Sequence, residues 1–164
     1  MNNEYQAILH PIPPLFDADS KKLILGSFPS VKSREAMFFY GHPQNRFWKL
    51  LARLYDEETP ATIEEKKRLI LSHHLALWDS IHSCEIVGSS DSSVRNVVPN
   101  DLSLILEHSK VDTIFCNGAL SYNMYTKYIF PSTGIKAIKL PSTSPANAAF
   151  SLERLSTQWK VITK

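Results

Sequence analysis

The segment Leu23-Ile24-Leu25-Gly26-Ser27-Phe28-Pro29-Ser30 constrains this chain more than any other stretch. Three apolar residues in a row fit a short strand covered on both faces, as in a parallel sheet. Gly26 and Pro29 then stop the strand, so a loop of small residues leaves its carboxyl end. In an open α/β sheet that edge is where ligands bind. A polar and aromatic cluster follows, Tyr40-Gly41-His42-Pro43-Gln44-Asn45-Arg46-Phe47-Trp48, and it opens a helix. A strand that delivers a tight loop, joined by a helix start bearing Asn, Arg and aromatics, reads as a pocket.

The rest of the chain supplies the frame. Ile8 to Leu15 holds Pro11, Pro13 and Pro14 and is an extended lead-in. Asp17 to Ser20 is a turn, the first strand runs over about 22–27, and Ser30 to Tyr40 is a loop or irregular helix over the pocket. Phe47, Leu50, Leu51, Leu54 and Tyr55 fall on one helical stripe, which Thr59-Pro60 ends. A second helix over 62–74 has Glu64 and Glu65 early and His73-His74 late, the polarity a helix dipole favours. Leu75 to Asp79 is a second strand, and Ser83 to Asn96 reads as polar loop.

Pro99-Asn100-Asp101 caps a third helix that buries Leu102, Ile105 and Leu106. Val111 to Cys116 is a third strand, and Gly118 to Tyr128 a helix with Leu120, Met124 and Tyr128 on one face. Ile135 to Leu140 is a fourth strand, and a last helix carries Leu152, Leu155 and Trp159. Strands alternating with helices predict an α/β fold, a three-layer α/β/α sandwich around a four-stranded, mostly parallel sheet.

Composition sets limits on function. A chain of 164 residues is expected to be a single domain over 1–164. Its 18 Lys and Arg against 16 Asp and Glu give +2, too little to announce nucleic acid, so any basic surface is local. Cys84 and Cys116 lack a C-x-x-C spacing and sit among apolar residues, as buried free thiols in a reducing compartment do. No metal site is expected, because His73-His74 has no third ligand spaced for one. No apolar run nears the roughly 20 residues that span a bilayer, and no signal peptide opens the chain. A cytoplasmic monomer with no membrane partner is expected.

Three segments after strands are chemically unusual: Gly26 to Ser30, Asn117-Gly118, and Pro141-Ser142-Thr143-Ser144-Pro145-Ala146-Asn147. In a parallel sheet all three leave the same edge, where the His42 to Trp48 cluster can join them. Each also has a plain structural reading. Asn45 and Asn117 could cap the helices that follow them, and Ser142, Thr143 and Ser144 could form a turn.

Taken together, Gly26-Ser27-Phe28-Pro29-Ser30, Tyr40 to Lys49 and Leu140 to Asn147 resemble the uracil-DNA glycosylase superfamily, above all its hypoxanthine-DNA (deoxyinosine) glycosylase branch. The mismatch-specific uracil-DNA glycosylases are similar in the His-Pro-x-Asn-Arg-Phe-Trp-Lys segment. The resemblance implies a DNA partner containing deaminated bases, no cofactor, and a four-stranded parallel sheet between helices. It implies catalytic asparagines at Asn45 and Asn117. The base would lie against Gly26, Ser27, Phe28, Tyr40 and His42, with Tyr40 as the stacking aromatic. Ser30, Ser142, Thr143, Ser144, Pro145 and Asn147 would meet the DNA strand.

One departure matters. The mismatch-specific relatives carry Asn in the first loop where this chain has Phe28, and no carboxylate stands in that loop to activate water. The resemblance therefore implies a monofunctional glycosylase for hypoxanthine more than for uracil or xanthine. Two other classes remain: a damaged-base-binding module without catalysis, and a hydrolase using Ser27 or Ser142. The last is disfavoured, because no G-x-S-x-G elbow and no obvious His–Asp pairing appear in the sequence.

Overall fold

The computed structural model describes residues 4–164; residues 1–3 of the expected 1–164 domain lie outside the described residues. The elements in chain order are β1 (Gln6–Leu9), β2 (Lys22–Gly26), α1 (Val31–Ala36), α2 (Phe47–Leu54), α3 (Ile63–Ser72), β3 (Leu75–Asp79), β4 (Ile81–Ile86) and β5 (Arg95–Pro99). They continue as α4 (Ser103–Glu107), β6 (Thr113–Asn117), α5 (Ala119–Met124), a π-type turn over Tyr125–Ile129, α6 (Phe130–Thr133), β7 (Ile138–Leu140) and α7 (Leu152–Trp159).

The expected sandwich is present. Four strands in the order β3-β2-β6-β7 form a sheet whose pairs are all parallel. β2 lies inside it, and its side chains alternate between two cores. Ile24 faces Leu50 and Leu51 of α2, Ile70 of α3, and Leu155 and Trp159 of α7. Leu23 and Leu25 face Leu102 and Ile105 at α4, and Tyr125 and Ile129. A strand buried on both faces reads as a continuous apolar run, which is why Leu23 to Leu25 shows no polar alternation.

The polar loop expected over Ser83 to Asn96 is corrected by a second, antiparallel sheet in the order β1-β4-β5. Ile81, Cys84 and Ile86 are buried there with Ile8, Phe28, Val94 and Val97 around them. The register between β4 and β5 shifts between Ile81 and Ser83. Such an irregularity puts Ile81 and Cys84 three apart rather than two, so the alternation that marks a strand is lost from the sequence. The lead-in also contributes: Gln6–Leu9 pairs with β4, and Leu15 bridges to Leu77.

Two smaller expectations also change. The buried stripe of the α5 region is Ser121, Tyr125 and Ile129, whereas Tyr128 is exposed. Ser121 takes the inner position because its hydroxyl donates to the Leu25 carbonyl at 2.8 Å, an approach a larger side chain would block. Asn100 is not a helix cap. It is buried and its amide donates to the carbonyls of Asp79 at 2.8 Å and Ile81 at 3.1 Å, while Asp101 accepts from the Ser103 N–H at 2.9 Å.

Candidate functional site

The carboxyl ends of all four parallel strands open into one cleft of about 300 Å³. Gly26 ends β2, Asp79 ends β3, Asn117 ends β6, and Ser142 to Pro145 follow β7; all line it. The loop of Ser27, Phe28 and Ser30 and the Tyr40, His42 and Asn45 segment complete the wall. Of the residues singled out from the sequence, only Asn147 stands outside this lining. Its amide instead donates to the Ser142 carbonyl at 3.0 Å and shapes the loop from behind.

Asn117 is tied to the neighbouring loop by both ends of its amide. Nδ2 donates to Thr143 Oγ1 at 3.0 Å, and Oδ1 accepts from the Thr143 N–H at 3.0 Å. Thr143 is wholly buried, so its hydroxyl serves this clamp and cannot reach a phosphate. Gly118 lets the two segments meet: its φ is +97°, and a Cβ there would lie 3.1 Å from Ser142 Cβ. Ser142 and Ser144 are half-buried. Each hydroxyl oxygen accepts a backbone N–H two residues on, at 3.1 Å, and its hydrogen stays free to donate.

Arg46 is spent on the same loop rather than on solvent. Its guanidinium donates to the carbonyls of Phe150, of Ser144 at 2.9 Å and of Asn147 at 3.0 Å, and its own N–H donates to the Thr143 carbonyl at 3.1 Å. Trp159 Nε1 donates to the Pro141 carbonyl at 2.9 Å, so the loop is held at its start as well. Asn45 closes the turn into α2, whose N-cap is Arg46: its Oδ1 accepts from the Phe47 N–H at 3.0 Å. It therefore shapes the helix start and lines the cleft at once. No hydrogen bond from its Nδ2 is made among the described residues, and that donor pair is open to the cleft.

Tyr40 adopts a positive φ of 53° and stacks on Phe47 with ring centroids 4.0 Å apart, so at most one face of its ring is left for a ligand. Its hydroxyl is buried beside Asp79 and faces the Asn117 amide, which works against the rise in its pKa, but the two do not reach normal hydrogen-bond geometry. Burial first, and then the Asp79 charge, raises its pKa, so it remains a neutral phenol. His42 turns Nδ1 to the Gln44 N–H at 3.1 Å. Ser30 caps α1 by accepting from the Ser33 N–H at 3.1 Å. Phe28 packs edge-on against His10, with centroids 5.9 Å apart.

Asp79 and His10 escaped the sequence reading. Asp79 is 4% exposed, and its Oδ2 lies 2.6 Å from His10 Nε2. The Ile12 N–H donates to His10 Nδ1 at 3.3 Å, which leaves the ring proton on Nε2, facing the carboxylate. The absent carboxylate of the first loop thus has a neighbour on the adjacent strand, where Asp79 stands beside Gly26 in register. A Cβ on Gly26 would lie 2.3 Å from Asp79 Oδ1, so only glycine admits the carboxylate here. A signal did exist, since Asp79 ends a strand at the ligand-binding edge. His10 gave none: it lies far off in sequence on a proline-rich lead-in.

Comparison with known proteins adds to this geometry. A family model described as the uracil DNA glycosylase superfamily matches residues 13–163. A relative from Methanosarcina acetivorans named hypoxanthine DNA glycosylase is 32% identical over 151 residues, which is 92% of this chain and 94% of that one. A protein of the same name from Methanosarcina barkeri is 27% identical over 149 residues, 90% of this chain and 92% of its own. The fold is similar to a solution NMR structure from Methanosarcina acetivorans described as a candidate uracil DNA glycosylase. Its TM-score is 0.79 at 31% identity, covering 93% of this chain and 94% of that one.

Proposed function

The chain belongs to the uracil DNA glycosylase superfamily, and from that membership we propose a monofunctional DNA glycosylase that releases hypoxanthine from deoxyinosine in DNA. The observation that carries this reading is the convergence of Asn45, Asn117, the Gly26 loop and the Ser142 to Pro145 loop on one cleft. Support for hypoxanthine comes from the names of the two Methanosarcina relatives. The chain acts on DNA in base excision repair, in the cytoplasm.

The chemistry follows from what the site offers. The target nucleotide leaves the duplex and its base enters the cleft. Water oxygen bonds to C1′ as the C1′–N9 bond breaks, the bonding pair departs with the base, and the proton the water sheds ends on that base, so the products are a C1′ hydroxyl and neutral hypoxanthine. The sugar passes through an oxocarbenium-like state while negative charge grows on the base. Asn45 has an uncommitted amide donor pair and supplies hydrogen bonds to that charge. Asn117, whose amide oxygen and one amide N–H are engaged by Thr143, holds the strand-facing loop in place. Ser142 and Ser144 donate to the lesion-strand phosphates. Among the described residues the cleft lining includes no lysine, so no Schiff base forms and the strand is left uncut.

The test is single-turnover release of free base from a deoxyinosine duplex by the natural chain and by Asn45→Ala. The variant is expected to lose about 100- to 1,000-fold in rate, as removal of one oxyanion-type donor does, while duplex binding persists. Equal rates would remove Asn45 from the chemistry.

A further inference from the structure

We propose that Asp79 Oδ1 is the group that distinguishes hypoxanthine from adenine and uracil from cytosine, by accepting the ring N–H that deamination creates. The inference rests on the glycosylase reading above and extends it to substrate choice.

The position fits a base rather than a sugar. Asp79 is buried at the floor of the cleft, whereas Ala146 and Ser89 stand exposed at its rim. An extruded nucleotide stays joined to its backbone at the rim, so the part that reaches the floor is the edge of the base farthest from C1′. For a purine linked through N9, that edge carries N1 and the substituent on C6.

The carboxylate is held with one oxygen spent and one open. His10 Nε2 occupies Oδ2 at 2.6 Å, and no hydrogen bond to Oδ1 is made among the described residues. The side chain of Asp79 is 6% exposed and that of His10 1%. The His10 ring is wedged edge-on between Phe28 and Trp78, at 5.9 and 6.1 Å. Asn100 fixes the Asp79 main chain from behind. Oδ1 is not among the fully buried atoms without a partner, so it keeps solvent access and a donor entering the cleft can reach it.

The chemistry of deamination supplies that ligand. An ionised carboxylate only accepts. Adenine presents a lone pair at N1, and cytosine one at N3; both would face Oδ1 in repulsion. Hypoxanthine and uracil carry N–H at those same atoms and donate to it. Guanine and xanthine both have N1–H, so this contact does not separate them. Negative charge beside a departing base opposes the charge growing on it, so Asp79 contributes selectivity and position, and Asn45 contributes rate.

The D79N variant keeps the shape and changes the hydrogen bonding. His10 Nε2–H then holds the amide oxygen, and the amide NH₂ is turned to the cleft, a donor where an acceptor stood. The experiment compares single-turnover release of hypoxanthine and 1-methylhypoxanthine, whose methyl replaces the N1 proton, by the natural chain and by D79N. The natural chain is expected to favour hypoxanthine by at least about 100-fold, within what sites built around a hydrogen bond achieve. In D79N that ratio is expected to fall at least about 10-fold, because the methyl group meets the same walls in both proteins and only the hydrogen bond differs. An unchanged ratio overturns the proposal while leaving the glycosylase reading intact. No release of either base by the natural chain would overturn both. Should D79N fail to fold, free bases tested as inhibitors of the natural chain decide the matter. Hypoxanthine and uracil are expected to inhibit where 1-methylhypoxanthine does not, and equal inhibition by all three overturns the assignment.

Discussion

Asn117 and Thr143 are joined by two 3.0 Å hydrogen bonds that engage both ends of one amide, binding the end of β6 to the loop after β7. That pairing separates two ways an asparagine can serve such a site, by touching the base or by holding the wall.

The first prediction follows from it. Asn117→Ala breaks both bonds and leaves the buried Thr143 N–H and hydroxyl without their partner. It is expected to cost ~1–3 kcal/mol, a fall in Tm of about 2–4 °C per kcal/mol for a chain this size. Thr143→Val breaks only the hydroxyl bond and is expected to cost less. If Asn117 acts through the loop, base release should drop in both variants in proportion to their stability loss. A much larger drop in Asn117→Ala alone would place its amide against the substrate.

Arg46 is the second clasp, and its worth lies in geometry as well as charge. Three carbonyls from two turns of the loop converge on one guanidinium, which a lysine ammonium cannot span. Arg46→Lys is therefore expected to behave much like Arg46→Met. Both should lower thermal stability and open the 141–151 segment to limited proteolysis. Resistance equal to that of the natural chain would show that the loop is held without Arg46.

The parallel sheet, the core beneath α2 and α7, and the elements that build the cleft were legible because each rests on local pattern; the buried face of the α5 region was not. Leu23 to Leu25 reads as a doubly covered strand, and Phe47 to Tyr55 as one stripe. The antiparallel sheet was not legible, since an irregular register erased the period at Ile81 to Cys84 and pairing partners lie far away in sequence. The His10–Asp79 contact spans 69 positions. Nothing local to His10 records it. Asn45 and Asn117 were recognisable as residues of one cleft, but the sequence does not record which of their amide atoms are already bonded. Only the structure gives that.

Alkaline conditions supply a third prediction. Burial pushes the Cys116 thiol up to about 11 from an ordinary 9.0, with the Ser121 hydrogen bond acting the other way. In the unfolded chain the thiol ionises first, so the folded state holds more protons between about pH 9 and 11. Stability should therefore decline with rising pH across that window. Cys116→Ala removes this contribution, and its denaturant midpoint is expected to fall less steeply between pH 8.5 and 10.5 than that of the natural chain. Parallel curves would show that the thiol does not titrate differently in the two states.

Binding to a lesion duplex should weaken with salt, because phosphate contacts release counterions with a slope near −0.9 per phosphate. Arg46 is committed to the loop, and the net charge is only +2. Roughly two to four phosphates are therefore expected to be neutralised. Fluorescence anisotropy titrations across a range of salt concentrations would give the slope, and a flat response would argue against a nucleic-acid substrate.

The most direct measurement is release of free base from duplexes that differ only in the target: hypoxanthine, uracil, xanthine, adenine or guanine. Detection of both the free base and the alkali-labile abasic site is needed, so that cleavage is separated from binding. Hypoxanthine is expected to be released, leaving an intact strand bearing an abasic site, with adenine and guanine retained. Tight binding of the deoxyinosine duplex with no free hypoxanthine at any enzyme excess would contradict the glycosylase reading and leave a damaged-base-binding protein in its place.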